Sequence, residues 1–182
     1  LFGIVLLFIG LLLSYNAKSQ DKYKVAAVGF YNLENLFDTL DTPDKIDEEF
    51  LPNGIKLYTG KVYQEKIKNL STVISHLGTN ITPDGVAILG VAEVENRSVL
   101  EDLVHQEALQ ARNYQIVHFE SPDARGVDVG LVYQPKYFEL LNSKAIELPI
   151  YKDDSVKTPT RDILYVQGLL DGDTISIMVN HW

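Results

Sequence analysis

The chain has 182 residues, no cysteine and a formal net charge of −9, with an isoelectric point near 4.8. The absence of thiols excludes a disulfide framework, a thiolate metal site, a cysteine nucleophile and a lipobox-type lipid anchor. The acidic balance leaves no global electrostatic footprint for nucleic acid, although a bound cation can reverse the field locally at a phosphate site.

The length suits one domain. The chain starts at Leu1 rather than Met and stops at Asn180-His181-Trp182, directly after an apolar, strand-like run, and so reads as a fragment cut at both ends. Leu1 to Leu13 is uncharged and apolar, short of the ~20 residues that span a bilayer. Small residues at Ala17 and Ser19 follow, as at a cleavage site. Residues 1–19 are therefore expected to be a signal peptide truncated at its start, with an uncleaved anchor as the alternative. The expected destination is export to the periplasm, cell surface or exterior. Residues 20–182 are expected to be an incomplete domain.

Tyr23–Phe30 reads as a first strand that leads into Tyr31-Asn32-Leu33-Glu34-Asn35-Leu36-Phe37-Asp38. Asn32 at its exit is either a turn residue or an amide beside a metal. Asp38–Glu49 is acidic but lacks the alternating ligands and central Gly of a calcium loop, so a solvated loop is expected. Tyr63, Ile67, Leu70, Ile74 and Leu77 recur at steps of four and three, which predicts a helix over 61–77 stopped by Gly78. His76, beside that stop, is assigned no chemistry.

Pro83-Asp84-Gly85 turns into Val86-Ala-Ile-Leu-Gly-Val-Ala92, a buried-type strand ending in Glu93, Glu95, Asn96 and Arg97. Extended geometry would place both glutamates on one face. Val99, Leu100, Leu103, Val104 and Leu109 predict a second helix. Strands are then expected over 114–119 and 127–133, joined by a polar turn at Glu120–Gly126. A short strand over 137–141 and a hairpin around Asp171-Gly172-Asp173 follow. This order suggests an α/β layered sandwich.

Asn32, Glu93, the Glu120–Gly126 turn and Asn180-His181 all fall at strand ends or connections. A carboxylate, an amide, an arginine and a histidine are the parts of a magnesium-assisted phosphoester hydrolase. A glycosidase pair of Glu93 and Glu95 is the competing enzyme reading, weakened by the lack of a nearby aromatic platform.

At these positions the sequence resembles the endonuclease/exonuclease/phosphatase family. The matching stretches are Phe30–Asp38, Gly90–Asn96 (with Ala92 where the family usually has Gln), Ser121–Tyr133 and Val179–Trp182. The resemblance implies a four-layer sandwich of two mixed β-sheets flanked by helices, present here only as its N-terminal part. It implies that Glu93 is the metal ligand, with Asn32 beside it. His181 would act at the scissile phosphate, oriented by a carboxylate near Glu120, and Arg161 would lie on the phosphate side. The implied cofactor is Mg²⁺, with Mn²⁺ or Ca²⁺ as alternatives, and the implied partner is a phosphoester substrate, nucleic acid included. A monomer without protein partners is expected. The family's remaining catalytic motifs would lie beyond Trp182, so the chain is expected to carry half a site and to be inactive alone. The alternative from another class is an exported, non-catalytic binding module on the same fold.

Overall fold

The structure is a computed structural model that describes residues 24–152 and 156–182; the expected signal peptide lies outside the described residues. Strand β1 (Ala27–Leu36) is followed by a 3-10 turn at Glu48–Phe50 and helix α1 (Gly60–His76). Then come β2 (Val86–Val94), α2 (Arg97–Val104) and the short α3 (Glu107–Gln110). The strands β3 (Gln115–His118), β4 (Asp128–Tyr133), β5 (Phe138–Ile146), β6 (Ile150–Lys152), β7 (Val156–Thr158), β8 (Ile163–Leu170) and β9 (Asp173–Val179) complete the order. No helix among the described residues is long and apolar enough to cross a membrane.

Two sheets form the sandwich. The first runs β1-β2-β4-β3 and the second β5-β8-β9, with β6-β7 as a separate ribbon. β1 and β2 are parallel, whereas β4 pairs antiparallel with both β2 and β3. The second sheet is antiparallel.

Alternation along β2 divides the core. Leu89 and Val91 pack with Ile67 and Ile74 of α1 and Leu100 and Leu103 of α2. Ile88 and Ala92 pack with Leu131, Phe138, Leu164, Val166 and Val179 between the sheets. β2 is thus covered on both faces, which is why its sequence is a continuous apolar run rather than an alternating one. The sheets meet closely at Gly90, where a Cβ would lie 3.2 Å from Val179 Cγ2.

The 61–77 helix is observed at Gly60–His76, with its expected apolar residues buried or packed against the core. Gly78 follows at φ 73°, the left-handed stop that glycine adopts without a Cβ penalty. The expected hairpin is present: Asp171 and Gly172 both take positive φ, as a two-residue turn matching strand twist requires.

Several local expectations change: the second helix breaks into α2 and α3, the strand expected over 137–141 runs from Phe138 to Ile146, and the β6–β7 ribbon had no signal in the sequence. The first strand runs on through Asn32 to Leu36 because Leu33 and Leu36 are fully buried and hold it to the sheet. The 38–49 loop is also not merely solvated: Asp47 is buried and accepts a hydrogen bond from Thr42 N at 3.0 Å. The expectation that only an N-terminal part of the sandwich is present, lacking the family's remaining catalytic motifs, does not hold: His118, Glu120 and Asp128 assemble a candidate metal-binding group within these residues.

Candidate active site and metal centre

The first group forms where β2 leaves the sheet. Its pairing shifts register between Ala92 and Val94 against β4, and β1 shifts between Asn32 and Leu36. Glu93 stands at this bulge with φ 60°, and Glu34 and Asn35 opposite also have positive φ. Such backbone costs of order 1–3 kcal/mol per residue and persists only where surrounding contacts hold it.

Those contacts are visible. Asn32 Nδ2 donates to Glu93 Oε1 at 3.1 Å, and Asn35 N donates to Glu93 Oε2 at 2.9 Å. Lys66 Nζ reaches over from α1 to the Asn35 carbonyl at 3.0 Å. Burial lowers the Lys66 pKa from its usual value.

The bulge re-aims the two glutamates at different partners. Glu95 is buried, and it accepts from Asp38 N at 2.6 Å and Thr42 Oγ1 at 2.9 Å. Burial pushes its carboxyl up to about 7. Asn96 caps α2 by accepting from Val99 N at 3.1 Å.

The second sheet reaches the same place. His181, just past β9, puts Nε2 at 3.3 Å from Glu93 Oε1. Its Nδ1 is buried without a hydrogen-bond partner among the described residues. Arg161 Nε donates to the His181 carbonyl at 3.3 Å, while Arg161 Nη1 pairs with Asp123 Oδ2 at 3.0 Å. Asp123 thereby ties the Glu120–Gly126 turn to the end of β9. The structure brings Asn32, Glu93, His181 and Arg161 into one chain of contacts.

Glu120 stands elsewhere, with His118 at the end of β3 and Asp128 at the start of β4. One ligand atom from each of these three lies within 4.8 Å of the other two. His118 Nε2 is 3.3 Å from Asp128 Oδ2, and both side chains are only 2 % exposed. Ser121 N donates to Asp128 Oδ1 at 3.0 Å. Desolvation and the neighbouring Asp128 carboxylate push the Glu120 pKa above its usual value. Imidazole nitrogen and carboxylate oxygens at this spacing are a candidate divalent-metal site.

The profile of the Endonuclease/Exonuclease/phosphatase family matches residues 27–182. The chain belongs to this family. No curated protein matches it. Among solved structures, it is similar to humanized D. rerio TDP2, with 13% identity, TM-score 0.49 and coverage of 84% of this chain and 45% of that one. It is also similar to the endonuclease/exonuclease/phosphatase from Bacteroides vulgatus, at 16% identity, TM-score 0.47 and coverage of 82% and 49%. A third is ANGEL2, a 2',3'-cyclic phosphatase, at 14% identity, TM-score 0.46 and coverage of 83% and 39%. The chain spans less than half the length of each.

For this family member, the expectation of an N-terminal piece lacking the C-terminal catalytic motifs is corrected. His118, Glu120 and Asp128 assemble a metal-capable group within these residues, so neither the α/β sandwich nor its function is described by the absence of such a group. The sequence offers Glu120 only as a carboxylate that orients His181, and it assigns no role to His118 or Asp128. Their signal was present: His118 and Glu120 are two apart, the spacing that points side chains to one side of an extended segment. Asp128 becomes their neighbour only when β3 and β4 pair.

Proposed function

We propose that the protein is a divalent-cation-dependent phosphoester hydrolase that uses Mg²⁺ at Glu93 and Asn32. The observation that carries this reading is the junction of Asn32, Glu93 and His181, three polar side chains supplied by the ends of β1, β2 and β9. The donor chemistry fits a hard cation. A carboxylate offers about four lone-pair sites, and those of Glu93 are only partly used by Asn32, Asn35 and His181. A divalent cation held there polarises a phosphoryl oxygen and stabilises the leaving group.

The protein's own groups divide the remaining work. Asn32 orients the Glu93 carboxylate. His181 donates to a phosphate oxygen or to the departing group, and its orphaned Nδ1 is a polar atom left for a ligand or water. Arg161 acts as a positioning residue: paired with Asp123 and bonded to the His181 carbonyl, it holds His181 rather than the phosphate. The net charge of −9 favours a small phosphoester over duplex DNA, whose binding recruits Lys and Arg.

The test is hydrolysis of a bis(p-nitrophenyl) phosphate and oligonucleotide panel by the full chain, with Mg²⁺ or with chelator. Mg²⁺-dependent turnover that is lost in Glu93→Gln supports the proposal. Unchanged turnover in that variant overturns it, and metal binding without turnover favours a binding module.

A further inference from the structure

We propose that Lys66 is a positioning residue of the Glu93 centre: its ammonium clamps the left-handed Glu34–Asn35 turn and so keeps the Asn35 amide on the Glu93 carboxylate. This role rests on the cation reading of Glu93 and adds to it a residue from α1, outside the strand ends.

The turn does not hold its own shape. Glu34 and Asn35 follow one another at φ 53° and 57°, a region that crowds an L side chain against its backbone and persists only where neighbours hold it. Neither is glycine. Leu33 and Leu36 on either side are fully buried and fix the ends of the turn. Between them β1 has lost its register with β2, and residues 33–35 have no paired residue there.

Lys66 supplies the missing constraint. Its Nζ donates to the carbonyls of both left-handed residues, to Glu34 and, at 3.0 Å, to Asn35. The Asn35 carbonyl also accepts from Phe37 N at 3.1 Å, but the Glu34 carbonyl is reached from outside the strand by the ammonium. A charged donor makes these bonds stronger than neutral ones. The next residue on α1, Ile67, is fully buried, so the lysine stem starts from a point fixed in the core.

The clamped turn holds Glu93 by both oxygens. Asn35 N donates to Oε2 at 2.9 Å. Glu34 N donates to Asn32 Oδ1 at 2.7 Å, and Asn32 Nδ2 donates to Oε1 at 3.1 Å. The amides of the two left-handed residues are thus both spent on the centre, one directly and one through Asn32. Relaxing the turn to ordinary strand geometry withdraws both, so Lys66 acts on the carboxylate without touching substrate.

The test is amide hydrogen exchange of the full chain in chelator, read by NMR, beside Mg²⁺ calorimetry. Lys66→Met should speed exchange at Asn35 at least about tenfold while Leu89 in β2 stays unchanged. Adding Glu34→Gly should recover most of that loss, because glycine takes positive φ without a Cβ penalty. Lost packing of the lysine stem would not be recovered this way. Where the parent chain binds Mg²⁺, Lys66→Met should weaken binding about tenfold or more. Asn35 exchange within about twofold of the parent, no recovery with glycine, or unchanged Mg²⁺ affinity overturns the proposal. As a check independent of any variant's folding, the Lys66 ammonium of the unsubstituted chain should exchange its protons more slowly than those of exposed Lys61 and Lys68. Equal rates overturn it as well. The exchange readouts need neither ion nor substrate, so a chain that binds no Mg²⁺ would count against the proposed activity and leave the Lys66 clamp standing.

Discussion

His181 Nε2 lies 3.3 Å from Glu93 Oε1, which joins the end of the second sheet to the bulge in the first. The contact depends on the sheets approaching closely, and that approach depends on Gly90 lying against Val179. Chemistry and packing are therefore coupled along one short path: Val179 is the last residue of β9, and His181 follows it by two positions.

Glu93→Gln keeps the shape of the side chain but removes the charge that a cation requires. Mg²⁺-dependent turnover should fall on the order of 100-fold or more, since even outer partners of metal ligands cost 10–100-fold. The far-ultraviolet circular dichroism should stay unchanged. Steady-state assays across a Mg²⁺ titration check this.

Asp123→Asn leaves the Arg161 guanidinium, only 14 % exposed, beside a neutral partner. Breaking a largely buried pair costs about 3–5 kcal/mol, here an upper figure because some water reaches Arg161. The double variant with Arg161→Met should recover part of that loss while kcat stays low, because the His181 carbonyl has lost its donor. Urea denaturation beside kcat measurements separates the two effects.

Glu95 gives a pH signature. Burial, with smaller contributions from Asp38 and Asp47, raises its folded pKa from 4.5 to about 7. The fold favours the protonated form, so its stabilising contribution is complete below the unfolded pKa and is lost as pH rises through about 7. Glu95→Gln lacks this titration. In chelator, its stability relative to the parent chain should therefore improve between pH 5 and pH 8. Equal differences at both pH values, read from denaturant midpoints, would refute the burial argument.

Gly90→Ala places a methyl group 3.2 Å from Val179 Cγ2 and 3.4 Å from Phe30 Cδ2. Overpacking of this kind costs about 1–3 kcal/mol. Adding Val179→Ala should relieve part of the strain, and the non-additivity of the two melting shifts measures the sheet-to-sheet contact.

Local chemistry was legible wherever one element contains its own reason. The α1 period, the Gly78 stop, the Asp171-Gly172 turn and the apolar β2 run all appear in sequence because helix and strand periodicities are local. Asn32, Glu93 and His181 were legible as polar strand ends carrying a family pattern. The opposite fates of Glu93 and Glu95 were not, because the positive φ at Glu93 breaks the alternation on which the same-face expectation stood.

By itself, the sequence determined the first long helix, the principal strands and the last hairpin, the acidic and thiol-free chemistry available, and the family to which the chain belongs. Only the tertiary structure decided that His118 would meet Asp128 and that Arg161 would brace His181 rather than face solvent. Those meetings depend on the antiparallel register of β3 with β4 and on the packing of one sheet over the other. Both join residues distant in sequence through a buried core, and no short stretch of sequence contains that information.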